Sequence, residues 1–384
     1  MIVLAKKTIV PGQTIGIIGG GQLGRMMAIS AKEMGFYVAV LDPVPNSPCG
    51  QVSDIEITAE YNDLDAIKQL ASVSDVITYE FENIDAAALR WLSEHSYVPQ
   101  GSELLKITQD RATEKKAITD AGLPVAPYVE VQSAEDLFAG IETIGIPCVL
   151  KTRRGGYDGK GQFVIRSKED IEKALSLLQL GSCVLESWLS FEKEISVIVT
   201  RNGLGDMKVF PVAENIHVDN ILHETIVPAR ISPHIAQKAI MYAQMLAQHF
   251  ALVGTLAVEM FLTKEGDIYI NELAPRPHNS GHYTINACAT SQFQQHVRAV
   301  CNWPLGSTEL LKPAVMVNIL GEHVQPVIEK ISQLADAHLH LYGKKEAKKK
   351  RKMGHLTVLA ENVDVALRKI DELQIWSDRR LQQT

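Results

Sequence analysis

The stretch Ala257–Tyr283, AVEMFLTKEGDIYINELAPRPHNSGHY, decides how the rest of the chain is read. Two alternating runs, Ala257–Leu262 and Asp267–Glu272, flank Thr263-Lys264-Glu265-Gly266, and a glycine closing a short polar connection marks a β-hairpin. With those four residues as the loop, Leu262 faces Asp267, Phe261 pairs with Ile268 and Glu259 with Ile270. Glu259 and Glu272 then become diagonal neighbours on one face. A slip of one residue would turn Glu272 to the other face. Two carboxylates held close in a half-buried site repel, and one takes up a proton unless a cation lies between them. Oxygen donors of this kind suit Mg²⁺, with Mn²⁺ as its substitute, and Mg²⁺ usually shares its shell with waters and nucleotide phosphates. An amphipathic hairpin with solvated acids has the same pattern, so the remaining sequence has to separate the two.

The chain has 384 residues, enough for two or three domains, and its 46% hydrophobic and 22% charged content is ordinary for a soluble globular protein. A formal net charge of −7 argues against general nucleic-acid binding, which favours a basic surface. The five cysteines, Cys49, Cys148, Cys183, Cys288 and Cys301, are scattered and form no CxxC pair, which fits a reducing cytoplasm rather than a disulfide scaffold or zinc site. No apolar run approaches membrane-spanning length, and Ile2–Ala5 is too short for a signal segment. A cytoplasmic enzyme is expected.

Upstream, Thr14–Ile18 leads into Gly19-Gly20-Gly21-Gln22-Leu23-Gly24, with helical spacing over Arg25–Met34 and a strand at Tyr37–Leu41 ending at Asp42. This strand, glycine turn and helix open a βαβ unit of dinucleotide-binding type. Short strands follow at Asp54–Thr58, Val76–Phe81 and Tyr97–Pro99, after which the pattern changes, so this is half of a Rossmann-like sheet. Alternation points Glu80 and Glu82 to one face at a strand's C-terminal end, where open α/β sheets bind ligands. A helix over Asp110–Ala121 is capped by Asp110, and Arg111 in its first turn, where the helix dipole disfavours a cation, is either drawn to an anionic partner or an ordinary surface arginine.

Gly122-Leu-Pro-Val-Ala-Pro127 breaks the chain into a second unit. Here a buried-type strand ends at Lys151, and Thr152–Gln162 packs four glycines close to Lys151, Arg153, Arg154 and Lys160. Glycines let backbone amides approach phosphate oxygens and the cations supply charge, although no Walker A helix follows. The strand Cys183–Leu189 can offer its edge to a flat purine, with a later acid, Glu194, accepting from ribose hydroxyls. His217 reads most simply as a structural histidine, and Pro233–Phe250 as a helix packed on the sheet of the opening hairpin. Beyond the hairpin, Arg276, His278, Asn279, Ser280 and His282 form the densest set of directional polar groups, in a loop broken by two prolines. In the tail, a helix at Ser291–Asn302, a strand at Ala314–Leu320 and a hairpin of His338–Tyr342 with His355–Leu359 are expected. The hairpin encloses the basic run 343–352.

Taken in order, the half-Rossmann unit, lysine-ended strand with glycine loop, purine-edge strand and paired carboxylates resemble the ATP-grasp superfamily over nearly the whole chain. Within it GGGQLGRM (19–26), TYEFEN (78–83), GGYDGKGQ (155–162), NELAPRPHNSGHY (271–283) and RKMGHL (351–356) are similar to the N5-carboxyaminoimidazole ribonucleotide synthetase family. The resemblance implies an α/β (α+β) ATP-grasp fold. A Rossmann-like pre-ATP-grasp domain would span 1–121, a two-lobed ATP-grasp domain 122–303 with its lid at about 125–190, and a small β-rich C-terminal domain 304–384. It also implies ATP- and bicarbonate-dependent carboxylation of 5-aminoimidazole ribonucleotide through carboxyphosphate, by a homodimer acting on small molecules.

By matching positions, Glu259 and Glu272 would hold Mg²⁺, with Asn271 beside them. Arg111, Lys151 and the loop Gly156, Tyr157, Asp158, Gly159, Lys160, Gly161, Gln162 would contact phosphates. Glu186, Ser187, Trp188 and Leu189 would line the adenine edge, with Glu194 on the ribose and His217 also at the nucleotide. Gln22, Leu23, Glu80, Asn279 and Ser280 would face the ribotide, and Lys345, Arg351 and Lys352 its phosphate. Tyr157, Asp158, Lys160, Arg276 and His278 would surround bicarbonate and the amine. Three alternatives remain at this point: a formate-dependent glycinamide ribotide ligase of the same fold, a nicotinamide oxidoreductase using Gly19–Gly24 and Asp42, and a nucleotide sensor without turnover.

Overall fold

The structure, a computed structural model, describes residues 7–156 and 160–376. At the N-terminus four parallel strands lie in the order Ile55–Thr58, Tyr37–Asp42, Thr14–Ile18, Val76–Tyr79. The glycine turn works as expected for close backbone approach: Gly19 has φ +104°, and a Cβ on Gly24 would meet the Gly19 carbonyl oxygen at 2.6 Å. The helix behind it begins three residues earlier than its spacing suggests, at Gln22, and runs to Glu33. The expected strand at Tyr97–Pro99 does not form. Ile77 donates one backbone bond to Tyr97 at 3.0 Å, but Pro99 has no N–H with which to extend a ladder.

The segment expected to form the lid contains a separate antiparallel sheet, ordered Tyr128–Val131, Cys183–Ser187, Cys148–Thr152, Gln162–Ile165. Its apolar face packs Val131, Cys148, Leu150, Ile165 and Leu185 against Leu137 and Ala174 of two helices.

The third sheet has nine strands. From its edge inward run Ile268–Ala274, Gly254–Thr263, Phe191–Arg201, Ala213–Val218, Ile221–Val227, Ala314–Leu320, Lys352–Leu359 and Ala337–Leu341, with Met207–Val209 paired to Phe191–Arg201. The helix Pro233–His249, capped by Ser232, lays Ala239, Ala243, Leu246 and Ala247 on Val197, Val199, Leu256 and Val258 of this sheet. Small residues on the helix let it approach closely, and the shared apolar burial is the main stabilising term. The C-terminal strands belong to the same sheet, because Ala314–Leu320 pairs antiparallel with Ile221–Val227.

The helix Gln292–Val300 joins the N-terminal and central sheets. His296 on it is buried, accepts from Thr255 N at 3.2 Å through Nδ1, and lies 2.8 Å from Thr78 Oγ1 through Nε2. Burial drives its pKa down to about 3, so the ring is neutral and Nε2 donates to Thr78.

The register of the opening hairpin differs from the one read off the sequence. Leu262 pairs with Ile268, Phe261 with Tyr269 and Met260 with Ile270; the register then shifts, and Glu259 stands directly opposite Glu272. The loop therefore includes Asp267, whose carbonyl accepts from Thr263 N at 2.9 Å, and Asn271 is the extra residue of a β-bulge. Without the bulge this register would have put Glu272 on the far face. With it, the adjacent residues Asn271 and Glu272 both reach the same cavity.

Gly266 closes the hairpin at φ +86°. Replacing it, Gly266→Ala, is expected to destabilise the protein by about 1–2 kcal/mol, the penalty of a left-handed conformation for a residue with a Cβ. Chemical denaturation would show this as a lower midpoint at unchanged slope, and a midpoint equal to wild type would contradict it.

Candidate active site

One cavity of about 750 Å³ lies where the three sheets meet. It is lined from the N-terminal unit by Gln22, Leu23, Glu80 and Phe81, from the small antiparallel sheet by Lys151, Gln162 and Glu186, from the central sheet by Glu194, Glu259 and Glu272, and from the tail by Lys352.

At its acidic end Glu259 and Glu272 face each other with Asn271 alongside. Burial, and next the charge of Glu272, raise the Glu259 pKa to about 7. Arg111 Nη1 lies 3.8 Å from Glu272 Oε2, so it has an anionic partner. His278 Nε2 is 3.7 Å from Glu259 Oε1. The His278 Nδ1 accepts from Ser280 N at 3.3 Å, and burial followed by Arg276 and Lys352 holds the ring well below its usual pKa. The imidazole is therefore neutral with its proton on Nε2, directed at the acidic pair. Two carboxylates and an amide, all oxygen donors open to a cavity, fit Mg²⁺ completed by phosphate and water. Among the described residues no cluster of three or more His, Cys, Asp or Glu forms a self-sufficient metal cage.

The opposite wall is cationic. Glu186, 3% exposed, accepts from Lys151 Nζ at 2.9 Å, and Lys115 Nζ lies 3.2 Å from the same oxygen. Burial pushes Glu186 upward, but Lys151, Lys115 and Arg111 outweigh it and hold the carboxyl at about 2. One permanent anion thus stands among three cations, leaving positive charge turned to the cavity. Beside it Trp188 carries the Arg166 guanidinium 4.9 Å above its ring, and Phe191 stacks on Phe261 at 4.5 Å, giving flat apolar walls. Glu194 lies 3.1 Å from His217 Nδ1. Burial lowers the His217 pKa, but its bond to Glu194 overcomes this and raises it.

At the N-terminal end the Glu80 carboxylate accepts from the backbone N–H groups of Gly21 and Gly24, and Arg276 binds Glu82 at 2.7 Å. The glycine turn's amides are thereby taken by a side chain. Asp42 is likewise consumed: it accepts from Gly20 N and Tyr61 Oη, both at 2.7 Å, and is buried. A dinucleotide ribose has no acidic partner left there.

Of the residues singled out by sequence, Gln22, Leu23, Glu80, Arg111, Lys151, Lys160, Gln162, Glu186, Ser187, Trp188, Leu189, Glu194, His217, Glu259, Asn271, Glu272, Arg276, His278, Asn279 and Lys352 line this one cavity. Tyr157, Asp158 and Gly159 lie outside the described residues. Gly156 and Gly161 sit just behind the lining; a Cβ on Gly156 would stand 3.5 Å from Arg111 Nη2. Ser280 does not line it, being fully buried with its hydroxyl 2.9 Å from His278 Nδ1. Lys345 and Arg351 do not line it either. They precede the strand that begins at Lys352 and turn outward, Lys345 to the Pro45 carbonyl at 3.5 Å and Arg351 to that of Glu346 at 3.1 Å.

Sequence reasoning missed Lys115, Glu114, Arg166, Phe191 and Phe261. The first two had a signal: Arg111, Glu114 and Lys115 are spaced i, i+3, i+4 and so share one helix face. Burial, and next the charge of Glu272, raise the Glu114 pKa to about 8.

A small sheet with a lysine-gripped carboxylate, sharing a cavity with a larger sheet that presents two opposed acids, is the arrangement of an ATP-grasp ligase. Residues 116–293 match the ATP-grasp domain family, residues 12–109 the ribonucleotide synthetase pre-ATP-grasp domain, and residues 314–369 the phosphoribosylaminoimidazole carboxylase C-terminal domain. The chain is 59% identical over 376 residues to the N5-carboxyaminoimidazole ribonucleotide synthase of Bacillus subtilis, covering 98% of each. A crystal structure of an N5-carboxyaminoimidazole ribonucleotide synthetase with ADP superposes with TM-score 0.95 at 63% identity, over 97% of this chain and 99% of that one. The Aspergillus clavatus enzyme, in complex with ADP and 5-aminoimidazole ribonucleotide, superposes with TM-score 0.90 at 35% identity, over 96% of this chain and 99% of that one. The chain belongs to the N5-carboxyaminoimidazole ribonucleotide synthase family.

The raised carboxyls set a pH dependence. Glu259 and Glu114 keep protons in the fold that the unfolded chain releases near pH 4.5, so their contribution to stability is present below that value. It is lost as pH rises through about 7 and 8. The loss runs from about pH 4.5 up to those values, so the thermal midpoint of metal-free protein should fall between about pH 5 and 8, and fall less in Glu259→Gln. Equal slopes in the two proteins would contradict the assignment.

Proposed function

We propose that this ligase uses ATP to phosphorylate bicarbonate, and that the exocyclic amine of 5-aminoimidazole ribonucleotide captures the carboxyl of the resulting carboxyphosphate, or CO₂ released from it. The products are N5-carboxyaminoimidazole ribonucleotide, ADP and phosphate, a step of purine biosynthesis. The observation that carries this reading is a cavity lined from all three parts of the chain, which brings Glu259, Asn271 and Glu272 together with Lys151 and Glu186 and with Gln22 and Glu80. Two substrates entering from opposite ends would meet beside Glu259 and Glu272.

In this reading the adenine lies along Glu186–Leu189, its ribose meets Glu194 and His217, and its phosphates reach Lys151, Lys160, Gln162 and Arg111. Glu259 and Glu272, with Asn271, hold Mg²⁺, which when bound neutralises charge on the transferring phosphoryl oxygens. Gln22, Leu23, Glu80 and Asn279 face the ribotide and Lys352 its phosphate. Arg276 and the Nε2–H of His278, together with Tyr157 and Asp158, orient bicarbonate. Since His278 is neutral, it donates a hydrogen bond without adding a charge that would compete for the anion. Gly156, Lys160, Gly161 and Gln162 would cover the phosphates and keep water from a short-lived acyl phosphate. The division 1–121, 122–303 and 304–384, a homodimeric state and a cytoplasmic location go with this reading. No helix among the described residues is long and apolar enough to cross a membrane.

Measuring ADP release with each carboxylate and each ribotide tests it. Release should require bicarbonate for carboxylation and be stimulated by 5-aminoimidazole ribonucleotide, and Glu272→Gln should lower kcat by about two orders of magnitude or more, as removal of a transition-state charge partner does. Dependence on formate with indifference to the aminoimidazole would overturn the substrate assignment.

A further inference from the structure

We propose that Glu114, which does not line the cavity, is the positioning residue that locks the bulged register of the outer hairpin strand and so keeps Glu272 opposite Glu259. This rests on the reading of those two acids as a cation site. The strand Ile268–Ala274 is the edge of the nine-stranded sheet, so its outward N–H groups have no neighbouring strand. An edge strand with a bulge is the least constrained kind of strand, and a slip of one residue there exchanges its faces. Here two outward donors are tied down, one on each side of the bulge. Before it, Ile270 N donates to the Pro124 carbonyl at 2.8 Å; after it, Leu273 N donates to Glu114 Oε1 at 2.7 Å. Asn271 and Glu272 lie between these two bonds, so the extra residue has nowhere to migrate.

The tie is firm because its anchor is firm. Glu114 is 2% exposed and sits on the helix Arg111–Asp120, whose cap Asp110 accepts from Ala112 N and Thr113 N and from Arg153 Nη2 at 2.9 Å. One turn earlier on the same face, Arg111 reaches Glu272 itself at 3.8 Å. The helix thus holds the metal-type residue by its side chain and holds the backbone immediately after it. What the bond needs is an oxygen acceptor at that point, not a charge. Removing the acceptor leaves a buried N–H unpaired, and the cheapest relief is to move the bulge, which turns Glu272 away.

The test follows Mn²⁺ binding by the loss of its free electron paramagnetic resonance signal, in full-length protein saturated with a non-hydrolysable ATP analogue, alongside analogue binding measured without metal. Glu114→Gln, which keeps the acceptor, should bind Mn²⁺ within about twofold of wild type. Glu114→Ala should bind it at least tenfold more weakly while metal-free analogue binding stays within twofold. Glu114→Asp, whose shorter side chain falls short of Leu273 N, should lie between, and it serves if the alanine variant does not fold. Equal Mn²⁺ affinity in wild type and the alanine or aspartate variant, or an equal loss in Glu114→Gln, would overturn the positioning role. In the control Glu272→Gln, unchanged Mn²⁺ affinity would overturn the cation reading and this proposal with it. A loss there beside an unaffected Glu114→Ala would overturn the positioning role alone.

Discussion

Two carboxylates directly opposed on neighbouring strands stand with their Cβ atoms about 5 Å apart, and two unit charges at that distance repel by roughly 3 kcal/mol at an effective dielectric of about 20. Glu259 and Glu272 are in that position, and the surroundings of the pair follow from it. Burial first, and then the charge of Glu272, favour a proton on the pair, and Glu259 rises to about 7. Arg111 and the His278 N–H approach from either side at 3.8 and 3.7 Å, close enough to soften the repulsion and too far to satisfy four carboxylate oxygens. In the proposed reading a divalent cation would meet the remaining demand.

The opposite wall carries the complementary imbalance. Glu186 is one anion shared by Lys115 and Lys151, with Arg111 adding a third positive charge, and both Lys115 and Glu186 are almost wholly buried. Leaving water is costly for each of these ions, and none could stay there without the others. The cavity between the walls is therefore polarised before any substrate enters, and in the proposed reading a magnesium nucleotide would lie with its phosphates toward the lysines and the metal toward the acids. One helix, Arg111–Asp120, links the two ends, since Arg111 and Glu114 reach the acidic strand while Lys115 reaches Glu186.

What the sequence made legible was local. Period-two alternation marked Glu259 and Glu272 as residues of one hairpin face, and the glycine turn at Gly19–Gly24 marked a strand–helix junction. The bulge was not legible, because Asn271-Glu272 looks like any polar pair and only the ladder shows that both point into the cavity. The direct opposition of the two acids came from two departures that compensated, a loop longer by one residue and a bulge that added another. Long-range pairing was hidden for the same reason. Nothing near Asp42 announces that it would be spent on Gly20 and Tyr61, and nothing near Lys345 announces that the strand starting at Lys352 would leave it facing outward. Glu114 and Lys115 lay within reach of helical spacing, but their partners, Leu273 and Glu186, are far along the chain.

The loop after the hairpin shows how the same residues divide between chemistry and support. Its polar side chains looked equivalent in sequence, yet only Arg276, His278 and Asn279 reach the cavity. Ser280 turns inward to orient the His278 ring, and Gln292 clamps the loop from below, accepting from His278 N at 2.9 Å and donating to its carbonyl at 2.7 Å. His282 is buried 4.8 Å from the His355 ring, which stacks in turn on His340 at 4.6 Å and bonds Tyr342 Oη at 2.8 Å. Burial keeps His282 and His355 well below their usual pKa, so they pack as neutral flat rings between the loop and the C-terminal strand. That strand begins at Lys352 and is laddered through Ala314–Leu320 to Ile221–Val227. Lys352 is therefore held at a fixed distance from Glu259 by hydrogen bonds across the sheet and by the histidine stack beneath the loop. The C-terminal segment is part of the frame that builds the site: loosening the stack would displace His278 and Lys352 together.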